Sequence, residues 1–181
     1  MTKIVATLSL VFSLGLLNWS IVQKEHQLSD GRMVYLELAP VDPRSLMQGD
    51  YMALNFKVAV EIRRHLSKND ETPSDLKELM TQDGYVVVTL DQNRIGQFKR
   101  LASNQADEQA LSEDEMLLKY RIRDDAIKFA TNAFFFQEGH ADIYDNARFG
   151  QFRVSEEGEL LLSGMYDEQL RLLEAVSDES L

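Results

Sequence analysis

The sequence predicts a mainly β, α+β chain: an antiparallel sheet that partly closes into a barrel, one N-terminal transmembrane helix, and one or two short helices. Three observations carry that expectation. Residues 32–38, RMVYLEL, place Met33, Tyr35 and Glu37 on one side and Val34, Leu36 and Leu38 on the other, the period-two alternation of a strand. Residues 85–90, YVVVTL, are rich in β-branched side chains and run into the turn-forming DQNR, the signature of a central strand and its hairpin. Residues 4–22 carry no charge at all.

The charge balance narrows the partners. The 181 residues hold 30 acidic against 19 basic side chains, a net charge of −11. Such a surface repels polyanions, so nucleic acid is not an expected partner. The absence of cysteine excludes disulfide staples, thiolate metal sites and thiol catalysis.

The run IVATLSLVFSLGLLNWSIV has 19 residues, 13 of them apolar. As a helix it is about 28 Å long, close to the thickness of a bilayer's hydrocarbon layer. Its hydroxyl side chains bond back to the helix backbone at little cost. A cleaved signal has a shorter apolar stretch and a small-x-small site, which Asn18-Trp19-Ser20-Ile21-Val22 does not offer. Trp19 suits an interfacial belt instead. Residues 1–22 are therefore expected to anchor the chain in lipid. Lys3 and the α-amine precede the span, while Lys24 and Glu25 cancel after it, so the N-terminus is expected inside and residues 23–181 outside the cytoplasm.

Residues 23–166 read as one β-rich domain and 167–181 as an acidic tail that forms a short amphipathic helix. Pro40 and Pro43 end the first strand, and Gly49-Asp50 turns the chain into a second, Tyr51–Phe56. The two are expected to pair across a loop of about eleven residues. Val58–Leu66 fits either a continued strand or a helix. Ser74–Met80 begins with an N-cap and continues with helix formers. Ile95–Leu101 is the hairpin partner of YVVVTL. Residues 103–115 hold five acids and no base and read as an exposed connection or a frayed helix, with a docking strip for a basic partner as the functional alternative. Met116–Ile122 and Ala126–Phe136 are two more strands, Ala141–Phe149 one or two helical turns, and Gln151–Tyr166 a closing hairpin around Glu156-Glu157-Gly158.

At Gly49-Asp50-Tyr51-Met52-Ala53-Leu54-Asn55-Phe56 the chain resembles the GDYXXLXY family. Pro40-Val41-Asp42-Pro43-Arg44-Ser45-Leu46 is similar to that family's lead-in, and Phe135-Phe136-Gln137-Glu138-Gly139 with Ala147-Arg148-Phe149-Gly150 forms a second matching block. Phe56 stands where the motif has tyrosine. The resemblance implies a single-pass protein of the bacterial cytoplasmic membrane with its domain in the periplasm, and it implies no activity.

Four constellations have chemical content. The loop joining the first two strands carries Asp42, Arg44, Gly49, Asp50 and Tyr51. Two carboxylates held close together raise one pKa, as in acid–base pairs, but the same side chains equally fix a turn through backbone bonds. Ser45 as a nucleophile needs a lysine base, and none of Lys57, Lys77, Lys99 or Lys119 sits in a marked pattern. Glu138, His140 and Asp142 share one face if residues 138–142 are a strand, a weak carboxylate–imidazole metal set; the alternative is the start of a helix with His140 in solvent. Phe129, Phe134, Phe135, Phe136, Tyr144, Phe149 and Phe152 make either an apolar groove or the core of a small β domain. The candidate binding or structural residues are thus Asp42, Arg44, Gly49, Asp50, Tyr51, Glu138 and Arg148. No catalytic residue, cofactor or firm metal site is assigned. The expected function is a membrane-tethered binding or accessory module for an envelope protein or ligand. A hydrolase using a carboxylate pair among Asp42, Asp50 and Glu138, and a divalent-metal sensor, are the alternatives.

Overall fold

The computed structural model describes residues 2–39, 51–69, 83–102, 111–123, 126–131 and 133–174. In chain order the elements are α1 (Thr2–Asp30), β1 (Arg32–Glu37), β2 (Tyr51–Ala53), α2 (Lys57–Asn69), β3 (Asp83–Leu90) and β4 (Gly96–Ala102). After these come β5 (Glu115–Arg123), β6 (Ala126–Lys128), β7 (Ala133–Phe135), α3 (Ala141–Tyr144), β8 (Phe149–Val154) and β9 (Leu160–Tyr166).

α1 is 29 residues long, about 43 Å at 1.5 Å per residue. It extends one polar segment, Gln23–Asp30, beyond the apolar run, because glutamine, lysine and glutamate are good helix formers. Gly31 ends it, its amide donating to the Gln27 carbonyl at 3.0 Å. The apolar side chains of α1 face outward on all sides, as with Phe12 at 70% and Trp19 at 69% exposure. Gln27 is the buried residue of this helix.

The sheets are antiparallel, as the alternation predicts. β1, β8 and β9 form one in the order β1-β8-β9, β4-β3-β5-β6 form a second, and β2 pairs with β7 in a third. The first two meet edge to edge at one parallel bridge, Tyr35 with Ile95, where the Tyr35 amide donates to the Arg94 carbonyl at 2.9 Å. They meet again where the Lys119 amide donates to the Gly158 carbonyl at 2.8 Å, laying the tip of the β8–β9 hairpin on the edge of β5. Gly158 has a φ of +77°, and a Cβ there would sit 3.1 Å from the Leu117 carbonyl oxygen; only glycine suits both conditions. Among the described residues the sheets curl toward each other at these two seams without closing into a barrel.

The core lies between the sheets and α2. Val34, Leu36, Phe152, Val86, Val88 and Leu118 are fully buried there, and Phe56 packs edge-on against Phe152 and Phe129 with ring centroids 5.4 and 6.3 Å apart. Residues 57–69 resolve the strand-or-helix question as a helix. Val58, Ala59, Ile62 and Leu66 then share one face on the core, whereas a strand would have put Arg64 beside Val58 and Ile62.

Several expectations are corrected. The second strand is only Tyr51–Ala53, and its partner is β7 rather than β1; what ties it to the first strand is a single bridge, Leu38 with Phe56. The run 126–136 is not one strand. It breaks where Phe129 turns into the core and Ala130 takes a φ of +43°. Glu115 begins β5 and is buried, so the exposed connection ends before it. Residues 167–174 are not helical, because Asp167 accepts from the amides of Gln169 and Arg171, both at 2.9 Å, and from the Arg171 side chain at 2.7 Å. A side chain that satisfies nearby amides in this way competes with helix formation. The predicted helix 74–80 lies outside the described residues.

Candidate functional site

Two ends of the domain differ in kind. β1 leaves the end of α1 and carries the chain about 17 Å away from it, at ~3.3 Å per residue. At that far end the base of the motif loop is closed. The Ala39 amide donates to the Asn55 carbonyl at 2.8 Å, and the Leu38 amide to the Arg148 carbonyl at 2.8 Å. Asp42, Arg44, Gly49 and Asp50, with Ser45, lie outside the described residues.

Tyr51 stands beside that loop in β2, with its ring 5.7 Å from that of Phe135. The two residues are cross-strand partners, the arrangement in which aromatic pairs stabilise a short ladder. Phe135 itself is 73% exposed. The remaining aromatics belong to the core: Phe129, Tyr144, Phe149 and Phe152 are buried, and Phe134 and Phe136 pack on Tyr144 at 4.9 and 5.2 Å. Burial raises the Tyr144 pKa, by removing water from the phenolate form, with a smaller contribution from the charge of Glu174. Phe56, the residue that replaces a motif tyrosine, is 2% exposed, so its ring fills space in the core.

Arg148 is exposed, and its Nη1 reaches the Ala147 carbonyl at 3.4 Å. Its backbone does more. The amide donates to the Tyr166 carbonyl at 2.8 Å while its carbonyl receives Leu38, so residue 148 links β9 to the base of the motif loop. Glu138 sits in a turn with Gly139 at φ +85°, and Asp142 in the first turn of α3, which His140 caps without a side-chain bond. The strand geometry that would align Glu138, His140 and Asp142 is therefore absent. Among the described residues no group of three His, Asp or Glu side chains is placed to hold a metal.

The near end, where α1 meets the sheets, was not marked by any motif. Gln27 donates from Nε2 to the carbonyls of Glu159 at 2.7 Å and Arg153 at 3.2 Å. Beside it Lys119 donates to Glu159 at 2.8 Å, with Arg121 at 3.8 Å from the same carboxylate. The bond to Lys119 lowers the Glu159 pKa against the opposing effect of burial. The same bond raises that of Lys119. A second carboxylate, Glu115, is paired with Lys99, whose bond holds it below its ordinary range. Behind these, on the face of the first sheet away from the main core, Gln151 donates to the Tyr35 hydroxyl at 2.8 Å and Ser163 donates to the Gln151 Oε1 at 2.8 Å. The partners of Gln27, and the Lys119–Glu159 and Tyr35–Gln151 pairs, lie 40 to 132 residues apart in sequence, beyond the reach of local patterns.

The family model described as GDYXXLXY protein matches residues 13–165. Neither a curated protein nor a solved structure matches the chain.

Proposed function

This chain belongs to the GDYXXLXY family, and from that premise we propose that it is a membrane-tethered, extracytoplasmic binding module of the bacterial envelope. In this reading residues 1–22 are the anchor, 23–166 the working domain and 167–181 its tail. The observation that carries the reading is α1. It is long and apolar enough to cross a membrane and none of its most apolar window is buried by the domain. Apolar side chains on every side of a helix need an apolar surround, and the domain supplies none along this stretch.

The binding surface we assign is built on the Tyr51–Phe135 step, with Asp42, Arg44, Gly49 and Asp50 of the motif as its further candidate residues. An exposed phenylalanine beside a charged loop suits recognition of an envelope protein or ligand, since aromatic anchors with a polar rim are common in interfaces. Arg148, whose carbonyl receives the Leu38 amide, and Glu138 are the remaining candidates for this surface.

Carbonate extraction of membranes, combined with reporters fused to the C-terminus, tests the placement. The protein is expected to stay in the pellet, and a reporter active only outside the cytoplasm is expected to work. A reporter active only in the cytosol overturns it. Photo-crosslinkers at positions 50 and 135 test the surface. They should give one defined adduct in intact cells, which a crosslinker at Glu61 in α2 does not give.

A further inference from the structure

We propose that the groove between the end of α1 and the β8–β9 tip receives the headgroup of a zwitterionic aminophospholipid, its phosphate at Lys24 and Lys119 and its ammonium at Glu156 and Glu157. The groove has a volume of about 610 Å³ and is walled by Gln23, Lys24 and Gln27 on one side and by Tyr85, Lys119 and the hairpin tip on the other. The inference rests on the anchored reading of α1. If the span ends at residue 22, Gln23 and Lys24 lie at headgroup depth, and Trp19, one turn earlier on the same face and 69% exposed, lies in the interfacial belt. The groove is then open to lipid rather than to bulk water alone.

Its charges select among headgroups. Two lysines face three glutamates, Glu156, Glu157 and Glu159. Glu159 is bonded to Lys119 at 2.8 Å, which keeps both ionised, and Lys24 is held at 3.1 Å from the Gln27 side-chain oxygen, poised over the groove. Glu156 and Glu157 are exposed at the turn. Arg121 stands 3.8 Å from the Glu159 carboxylate, so bases and acids balance in number and an anionic headgroup meets no surplus of positive charge. A phosphate joined to a primary ammonium satisfies both signs at once. A choline headgroup carries the same charges but has no N–H to donate to carboxylates, so it loses the charge-assisted bonds.

Full-length protein, delipidated in detergent, is titrated with short-chain phosphatidylethanolamine, phosphatidylcholine and phosphatidylglycerol, and occupancy is read by native mass spectrometry. Phosphatidylethanolamine should be favoured about fivefold over phosphatidylcholine, the scale of two exposed ion pairs. The preference should fall to near parity in an E156Q/E157Q double variant, whose circular dichroism should match the parent. Equal binding of all three lipids, strongest binding of phosphatidylglycerol, or a preference that survives in the double variant overturns the proposal. Carbonate extraction separates the two readings. A protein that stays in the pellet without a headgroup preference refutes only this site, whereas release to the supernatant refutes the anchor and the site together.

Discussion

α1 and α2 are both helices with many apolar residues, and they meet opposite fates. In α2 the apolar face on the core is made by Val58, Ala59, Ile62 and Leu66, with Ile62 and Val58 0% and 3% exposed, and only Val60 lies off it at 39%. Its other face is mostly polar, with Arg64 bonded to Glu61 at 2.7 Å and the His65 ring tilted by 33° against Phe98 at 4.4 Å. In α1 the apolar residues surround the axis and half or more of most of these side chains stays exposed. The angular distribution of apolar residues, not their number, decides whether a helix joins a core or needs another solvent. One stripe is covered by one sheet. A full circumference is covered only by lipid or by several neighbours, and the domain offers α1 contact only from its last turns.

The largest expected effect breaks the symmetry between the helices directly. Ile62→Ala should destabilise the domain by about 2–5 kcal/mol, the usual cost of emptying a packed aliphatic site. Phe12→Ala in α1 should leave domain unfolding unchanged. Chemical denaturation of the full chain in detergent, followed by tyrosine fluorescence, measures both. Similar losses for the two variants would mean that α1 also belongs to the core. The second effect works on α1 alone. Val11→Arg at mid-span should cost about 3 kcal/mol of insertion and move a large share of the protein out of the carbonate-resistant fraction. Unchanged membrane retention would refute a spanning role.

What the sequence revealed follows the same division between local and distant causes. The β3–β4 hairpin was readable because its turn is made by its own residues. Asp91 accepts from the amides of Asn93 and Ile95, both at 2.8 Å, and Arg94 takes a φ of +61°. The β8–β9 hairpin was readable for the same reason, through Gly158. The partner of β2 was not, because Met52 meets Phe134 across a stretch that contains most of the domain, and three-residue strands carry too little alternation to specify a register. At the motif end the Arg148 carbonyl receives the Leu38 amide and Tyr51 pairs with Phe135, while residues 138–142 do not form a strand because Gly139 turns the chain there. Phe56 shows why a motif departure need not be a chemical one. Its ring is buried against Phe129 and Phe152, where only its apolar body is used.

The joint between α1 and the domain sharpens the comparison further, since it is where the lipid-facing helix becomes a protein-facing one. Gln27→Ala should cost about 1–3 kcal/mol, because two hydrogen bonds from the helix to the hairpin are lost, although the Glu159 carbonyl keeps the Ser155 amide at 2.9 Å. The loss should be confined to the joint. Hydrogen exchange should rise at residues 153–159 and stay constant in β3 and β5. A uniform rise would mean that Gln27 supports the whole fold rather than the docking of α1.

The smallest effect comes from the ion pair beside that joint, and its sign can be worked out. Glu159 is held below its ordinary value of 4.5 by Lys119, so its contribution is present above about pH 4.5 and is lost as the pH falls through the lowered value. Lys119 is held above its ordinary 10.5, so its contribution is present below that pH and is lost as the pH rises through the raised value. Both are in force between pH 5 and 10, and the pair is neutral to changes within that window. Because the Glu159 side chain is 35% exposed, solvent screening limits the whole effect to less than about 1 kcal/mol. Glu159→Gln should therefore leave stability at pH 7 only slightly reduced and should flatten its decline on acidification. Among the described residues, the acid limb that remains belongs to Glu115 and Asp167, which Lys99 and the Arg171 backbone amide hold ionised by their hydrogen bonds. Urea titrations of parent and variant between pH 3 and 7 measure the difference. If the two curves stay parallel down to pH 3, the Lys119–Glu159 pair contributes nothing to the seam between β5 and the β8–β9 tip on which Gln27 rests.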